Sequence, residues 1–201
     1  MCDMENKIYA LMGAQGSGKA TMASHLLDMG IHFIPVYTTH DFSTEKHTRY
    51  YIPREHFFKT VSREEFNKLD FVIEFSHKGE SYGYRKDDIL NALRDHTISV
   101  MILEIEALKP MSKLIKKKLE TIYLMVDYVT LVDRLLRLGC NNDEIKIHLQ
   151  YAENNKEFDL WKICNHIIRN TGEKETTLIQ LLSIMGLTTL LPQEEFDKRI
   201  K

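Results

Sequence analysis

Gly13, Gly16 and Gly18, followed at once by Lys19, are the residues of this chain best spaced to do chemistry; they stand in the stretch GAQGSGKAT, residues 13–21. Residues without side chains let successive backbone N–H groups converge on phosphate oxygens, and a helix opening behind them adds its positive N-terminal end. A lysine at that point neutralises charge on a phosphoryl group in transit. Ala14, Gln15 and Ser17 complete the backbone of such a cradle. Ala20 stands where the usual pattern has Ser or Thr to hold magnesium, and Thr21 supplies a hydroxyl one position later. The plain alternative is a glycine turn ahead of an ordinary helix.

A phosphate cradle needs a strand to deliver it and a helix to follow. KIYALM, residues 7–12, is a short apolar run that reads as a buried strand, and Met22, Leu26 and Leu27 give residues 19–29 helical spacing. HFIPVY, residues 32–37, reads as a further strand, with Pro35 suggesting an edge. Residues 38–85 turn rich in aromatic, His and charged side chains and read as an inserted lobe. ILNALRD then begins a helical pattern. TISVMILEIE, residues 97–106, reads as a central strand whose end carries Glu104 and Glu106 on one face.

MSKLIKKKLE is read as a helix, TIYLMV as a strand, and VTLVDRLLRLG as a helix closed by Gly139. NNDEIKIHLQYAENNKEF opens with capping residues and continues helical, CNHIIRN is a last strand, and EKETTLIQLLSIMG a last helix. Strands alternating with helices predict an α/β fold with a central parallel sheet covered on both faces, and ligands beyond the carboxyl ends of its strands.

Length and composition bound the rest. At 201 residues one domain is expected, with room for small mobile subdomains. A formal net charge of -2 argues against a general nucleic-acid binder, and KLIKKKLE is expected to be a solvated helix face. Three scattered cysteines suggest reduced thiols, and nine histidines show no metal-ligand spacing, so no structural metal is expected. The polar start and the absence of a long apolar run point to a cytoplasmic protein without a membrane span.

Taken in order, GAQGSGKAT, YTTH, TVSREEF, FVIE, GESYGY and ILEIE resemble the guanylate kinase family of nucleoside monophosphate kinases, from about residue 7 to residue 186. The resemblance implies a P-loop three-layer core (1–37, 86–136 and 148–186), a monophosphate-binding lobe (38–85), a lid (137–147) and a tail (187–201). It implies ATP and a nucleoside monophosphate, GMP or dGMP first, as substrates. By the same resemblance Glu74 reads the base, while Tyr82, with Thr39, His40 and Tyr84 nearby, holds the acceptor. Glu104 and Glu106 match an acidic pair serving base recognition and magnesium-bound water. Arg134 and Arg137 match phosphate clamps, and Asn170 a contact to the donor nucleotide. Related adenylate kinases are similar in having a small residue at the position of Ala20 and then Thr, with Mg2+ held largely through water.

Several positions depart from the family pattern. His40 replaces an arginine, Ser43 falls near a second, and Phe58 stands near a phosphate-binding tyrosine. Val36 and Tyr84 stand where small hydroxyls usually read guanine, and Lys146 and His148 where another clamp is expected. Arg49 or Arg54 could take over phosphate binding. Two other readings therefore stand beside the first: a kinase for another phosphorylated small molecule, such as a ribosyl phosphate, and a non-catalytic binding module.

Overall fold

The structure, a computed structural model, describes residues 5–42, 52, 54–77 and 79–188. Strand β1 (Lys7–Met12) runs through the middle of a five-stranded sheet and feeds the glycine loop, which helix α1 (Lys19–Asp28) follows. The remaining strands of this sheet are β2 (His32–Phe33), β7 (Ile98–Ile102), β8 (Leu119–Met125) and β9 (His166–Arg169). Their order is β2-β7-β1-β8-β9, and every pairing is parallel.

Burial on both faces explains why β1 is apolar from Ile8 onward rather than alternating. Ile8, Ala10 and Met12 join one core cluster with α3 (Lys86–Asp95) and α4 (Ile105–Ile115). Tyr9 and Leu11 join the opposite cluster with α1 and α7 (Lys174–Ile184). A smaller cluster joins Ala14 of the loop to α5 (Tyr128–Arg137) and α6 (Asn142–Asn154) through Leu131, Leu135, Ile145 and Leu149. Asp127 caps α5 by accepting from Thr130 N at 2.9 Å, and Asn141 forms a capping box with Glu144 at the start of α6. Residues 137–147 thus contain the α5–α6 turn and the first part of α6.

The single strand expected over residues 32–37 is two strands in two sheets. Ile34 N donates to Val100 O in the parallel sheet at 2.9 Å, whereas Val36 N donates to Phe57 O at 2.9 Å. Pro35 between them has no N–H to give either sheet, so the chain changes partner there. A second sheet begins at once with β3 (Val36–Thr38) and adds β4 (Phe58–Thr60), β5 (Phe71–His77) and β6 (Glu80–Arg85), in the order β4-β3-β6-β5. A short helix α2 (Arg63–Phe66), capped by Ser62, links β4 to β5.

The central strand stops earlier than expected. Leu103 N makes a last bond to Leu11 O at 3.0 Å, and the chain turns into α4 with Glu104 as its N-cap. Glu104 and Glu106 therefore occupy the first turn of a helix and not the end of a strand. Carboxylates are favoured there by the helix dipole. That helix begins at Ile105, ahead of the expected Met111, and carries Pro110 in its interior. Leu119 and Glu120, expected in the helix, already belong to β8.

Candidate active site

The loop lies beyond the carboxyl end of β1, between the strand and α1, where open parallel sheets place their ligands. Its backbone demands glycine at two points. Gly13 has φ 142°, and a Cβ there would sit 2.9 Å from the carbonyl oxygen of Leu124. Gly18, the N-cap of α1, has φ 99°, and a Cβ there would collide with the amide nitrogen of Asn170. Both positions combine left-handed backbone with no room for a side chain.

Lys19 arches back over the loop, and its ammonium donates to Gly13 O and, at 3.2 Å, to Ala14 O. Ser17 is buried, and its hydroxyl has no hydrogen-bond partner among the described residues. Such a group loses solvation without compensation unless a ligand oxygen supplies it. Gln15 is exposed at the loop tip, while Ala14 is buried in the α5–α6 cluster. Ala20 packs its methyl against the cluster beneath α1, and Thr21 is half-buried beside it.

Asn170 braces the loop from below. Its Nδ2 donates to Ser17 O at 2.8 Å, and its Oδ1 accepts from Thr177 Oγ1 at 2.9 Å. The side chain is buried and both ends of the amide are engaged within the protein, so it secures the loop instead of facing outward to a nucleotide. Arg134 closes the same knot, donating to Ser17 O at 3.2 Å and to Asn170 O at 2.8 Å. Burial lowers its pKa from the ordinary arginine value. Arg137 does not join it: this exposed side chain pairs with Asp133 at 2.9 Å on the outer face of α5. One turn of helix thus separates an arginine held at the loop from one held in solvent.

Beside the loop lies an acidic group. Glu104 and Glu106 face Tyr151 of α6, whose phenol is pushed up to about 12, by burial first and then by the charges of Glu106, Glu104 and Glu157. Glu157 completes the group. It opens a turn at Glu157–Lys162, is only 5% exposed, and is pushed up to about 7 by burial, with Lys19 opposing that rise and Glu104 and Glu106 adding to it. The pattern of NNDEIKIHLQYAENNKEF predicts a helix that runs past Glu157. The helix instead ends at Asn154, and Lys156 takes a left-handed φ of 55°, which swings the next residue inward. Nothing in the local pattern signals that reversal.

The second sheet separates two residues expected to act together. In the β5–β6 ladder Glu74 pairs with Gly83, and Phe75 pairs with Tyr82. Side chains alternate along a strand, so Glu74 lies on the face opposite Tyr82. Tyr82 and Tyr84 face the main core, with Phe75 stacked on both at 5.5 and 6.0 Å between ring centroids. Phe58 adds a fourth ring, 6.2 Å from Tyr82. Glu74 is exposed on the other side. Base reader and phosphate holder, as the resemblance implies them, thus leave the β5–β6 ladder on opposite faces.

Tyr84 is fully buried, donates to Ile102 O at 3.2 Å and accepts from Glu104 N at 3.1 Å. It serves as a strut from the second sheet to the start of α4, not as an open contact to the acceptor. Thr39 donates to Glu80 at 2.5 Å and accepts from Ser81 N at 3.0 Å, which fixes the end of β3 against β6. The His40 ring packs on Phe42 at 4.4 Å. Arg54 begins a turn at Arg54–His56, while Arg49 and Ser43 lie outside the described residues.

Among the described residues no group of three His, Cys, Asp or Glu side chains could hold a metal ion, and no helix is long and apolar enough to cross a membrane.

No family model matches the chain, and no curated protein matches it either. Among solved structures it is similar to the crystal structure of guanylate kinase from Anaplasma phagocytophilum. The likeness has a TM-score of 0.60 at 16% sequence identity and covers 92% of this chain and 86% of the other. The shared property is the fold: a central parallel sheet of five strands flanked by helices, as the alternation of elements predicted.

Proposed function

We propose that this protein is a phosphotransferase that moves the terminal phosphoryl group of ATP to the phosphate of a nucleoside monophosphate, with GMP or dGMP the first acceptors to test. One observation carries the reading. A glycine loop strained into left-handed conformations returns its lysine over its own carbonyls, at the carboxyl edge of a parallel sheet. That arrangement is suited to the triphosphate of a donor nucleotide.

In this mechanism the loop N–H groups and the α1 N-terminus hold the donor phosphates. Lys19 leaves the Gly13 and Ala14 carbonyls, binds the terminal phosphate and stays with it as it transfers. Mg2+, bound with ATP, would offset charge on the phosphate oxygens. Arg134, fixed to the Ser17 and Asn170 carbonyls, keeps a positive charge behind the loop. An acceptor phosphate oxygen attacks the terminal phosphorus, the bond to the β-phosphate breaks, and ADP leaves; no side-chain nucleophile is needed. The aromatic wall of Phe58, Phe75 and Tyr82 offers a planar acceptor a stacking surface.

The position of Glu74 favours a second reading, a kinase whose acceptor is a phosphorylated small molecule other than a guanine nucleotide, such as a ribosyl phosphate. ADP release from Mg-ATP across nucleoside monophosphates and ribosyl phosphates, with a no-acceptor control, separates the two. Turnover with GMP or dGMP supports the first reading, and turnover with a ribosyl phosphate alone supports the second. ATP binding without turnover of any acceptor leaves a non-catalytic module. Lys19→Ala should abolish transfer without altering the thermal melt; retained activity would sink the mechanism.

A further inference from the structure

Six rings run in one row across a face of the second sheet and the turn after β3. His40 packs on Phe42 at 4.4 Å between ring centroids, Phe42 on Phe58 at 4.9 Å, and Phe58 on Tyr82 at 6.2 Å. Phe75 then joins Tyr82 to Tyr84, at 5.5 and 6.0 Å. The ladders explain the row. Phe58 pairs with Val36, Tyr82 with Thr38 and Phe75 with Tyr82, so the three rings share one face. Phe42, Phe58, Tyr82 and Phe75 are half-buried. Tyr84 is fully buried and shares the core cluster of Met12, the residue before Gly13. Its hydroxyl bonds Ile102 O, and Ile102 pairs with Leu11. The row is therefore anchored at the carboxyl ends of β7 and β1, where the glycine loop lies.

The threonine hydroxyls and the innermost phenol of this face are spent inside the protein. Tyr84 Oη donates to Ile102 O at 3.2 Å and accepts from Glu104 N at 3.1 Å. Thr38 Oγ1 accepts from His40 N at 3.0 Å, and Thr60 Oγ1 donates to His40 O at 3.1 Å. Of the nearby carboxylates, Glu80 accepts from Thr39 Oγ1 at 2.5 Å, and Glu74 leaves its ladder on the opposite face. What this face presents is ring surface, not a set of donors and acceptors matched to one base.

We infer that the row holds the planar ring of an acceptor by its face and leaves its edge unread, so that nucleoside monophosphates are accepted with little regard to which base they carry. The inference rests on the phosphotransferase reading above. Every base has a π face, so stacking on aromatic side chains tolerates a change of base. Hydrogen bonding to a base edge does not: a site built for one polar edge rejects an analogue lacking it by roughly ten-thousandfold. Phe58, set between Phe42 and Tyr82, makes the stacking contact.

ADP release from Mg-ATP by the full chain, measured with GMP, IMP, AMP, CMP and ribose 5-phosphate, tests this. The nucleotides should give kcat/KM values within about tenfold of one another, and ribose 5-phosphate, which lacks the ring, a value about tenfold or more below them all. A wider spread among the nucleotides, or use of ribose 5-phosphate within about tenfold of them, overturns the inference and leaves the phosphotransferase reading standing. No ADP release above the no-acceptor control with any of these acceptors overturns that reading, and this inference with it. Phe58→Leu should raise the KM of every nucleotide acceptor by about fivefold or more, while kcat, the KM for Mg-ATP and the thermal melt stay as in wild type. Unchanged acceptor KM values in a folded variant overturn the inference. Should the variant fail to fold, the wild-type panel decides alone.

Discussion

Asn170 and Ser17 lie 153 positions apart in the chain, yet Asn170 Nδ2 donates to the Ser17 carbonyl at 2.8 Å. The bond ties the segment after the last strand to the loop after the first. The backbone adds a second tie, Asn170 N to Met125 O at 2.7 Å, so loop, β8 and β9 end in one knot. The loop's shape is therefore set by residues that come late in the sequence.

Replacing Asn170 with Ala should loosen that knot. Thr177 Oγ1 and the Ser17 carbonyl would both lose a partner in a buried setting, at a cost of roughly 2 kcal/mol. Urea unfolding checks the stability, and Mg-ATP affinity should fall in the same variant. An unchanged affinity would show that the loop holds its shape without the clamp.

Arg134 and Arg137 should behave differently despite lying one helical turn apart. Arg134→Ala removes donors to the Ser17 and Asn170 carbonyls and should weaken both the fold and nucleotide binding. Arg137→Ala breaks only an exposed pair with Asp133, which contributes within about 1 kcal/mol. Equal losses of turnover in the two variants would mean that Arg137 swings inward during the reaction.

The β5–β6 register makes a prediction about the acceptor. Tyr82→Phe should raise the acceptor KM, whereas Glu74→Ala should leave it unchanged within about twofold, since the two side chains lie on opposite faces. Steady-state kinetics with the best acceptor found decides the matter. A large KM effect confined to Glu74 would require a different register in the complex.

Glu157 should leave a mark on stability even without a ligand. Its pKa is raised from 4.5 in the unfolded chain to about 7 in the fold, so the native state binds more protons between those values. Stability therefore falls as pH rises from 4.5 to about 7 and then levels off, by roughly 3 kcal/mol from this group. Glu157→Gln should accordingly be more stable than wild type at pH 8 and about equal to it at pH 4.5. Thermal melts across that range read the difference directly. A variant less stable than wild type at pH 8 would mean that the ionised carboxylate is well compensated.

Much of this architecture was legible along the chain. KIYALM ending at Gly13 announced a buried strand and its loop because both are written in adjacent residues: apolar side chains for two buried faces, glycines for backbone that other residues avoid. Asn141 and Gly139 punctuated α5 and α6 for the same local reason. Elements failed to be legible where a long-range partner decided them. Pro35 read as an edge signal, yet only the partners of Ile34 and Val36 show that the chain changes sheets there. The alternation of Glu104 and Glu106 looked like strand, but the ladder ends at Leu103 and the helix claims both.

By itself, then, the sequence determined the alternating strands and helices of the core sheet, the glycine loop and its lysine. Those depend on periodicity and backbone freedom, which are properties of neighbours in the chain. The tertiary structure alone decided that Asn170 clamps the loop, that Glu74 and Tyr82 leave their ladder on opposite faces, and that Glu157 is buried. Register, packing and desolvation are set by residues far apart in sequence, and a carboxylate's neighbours are not written beside it.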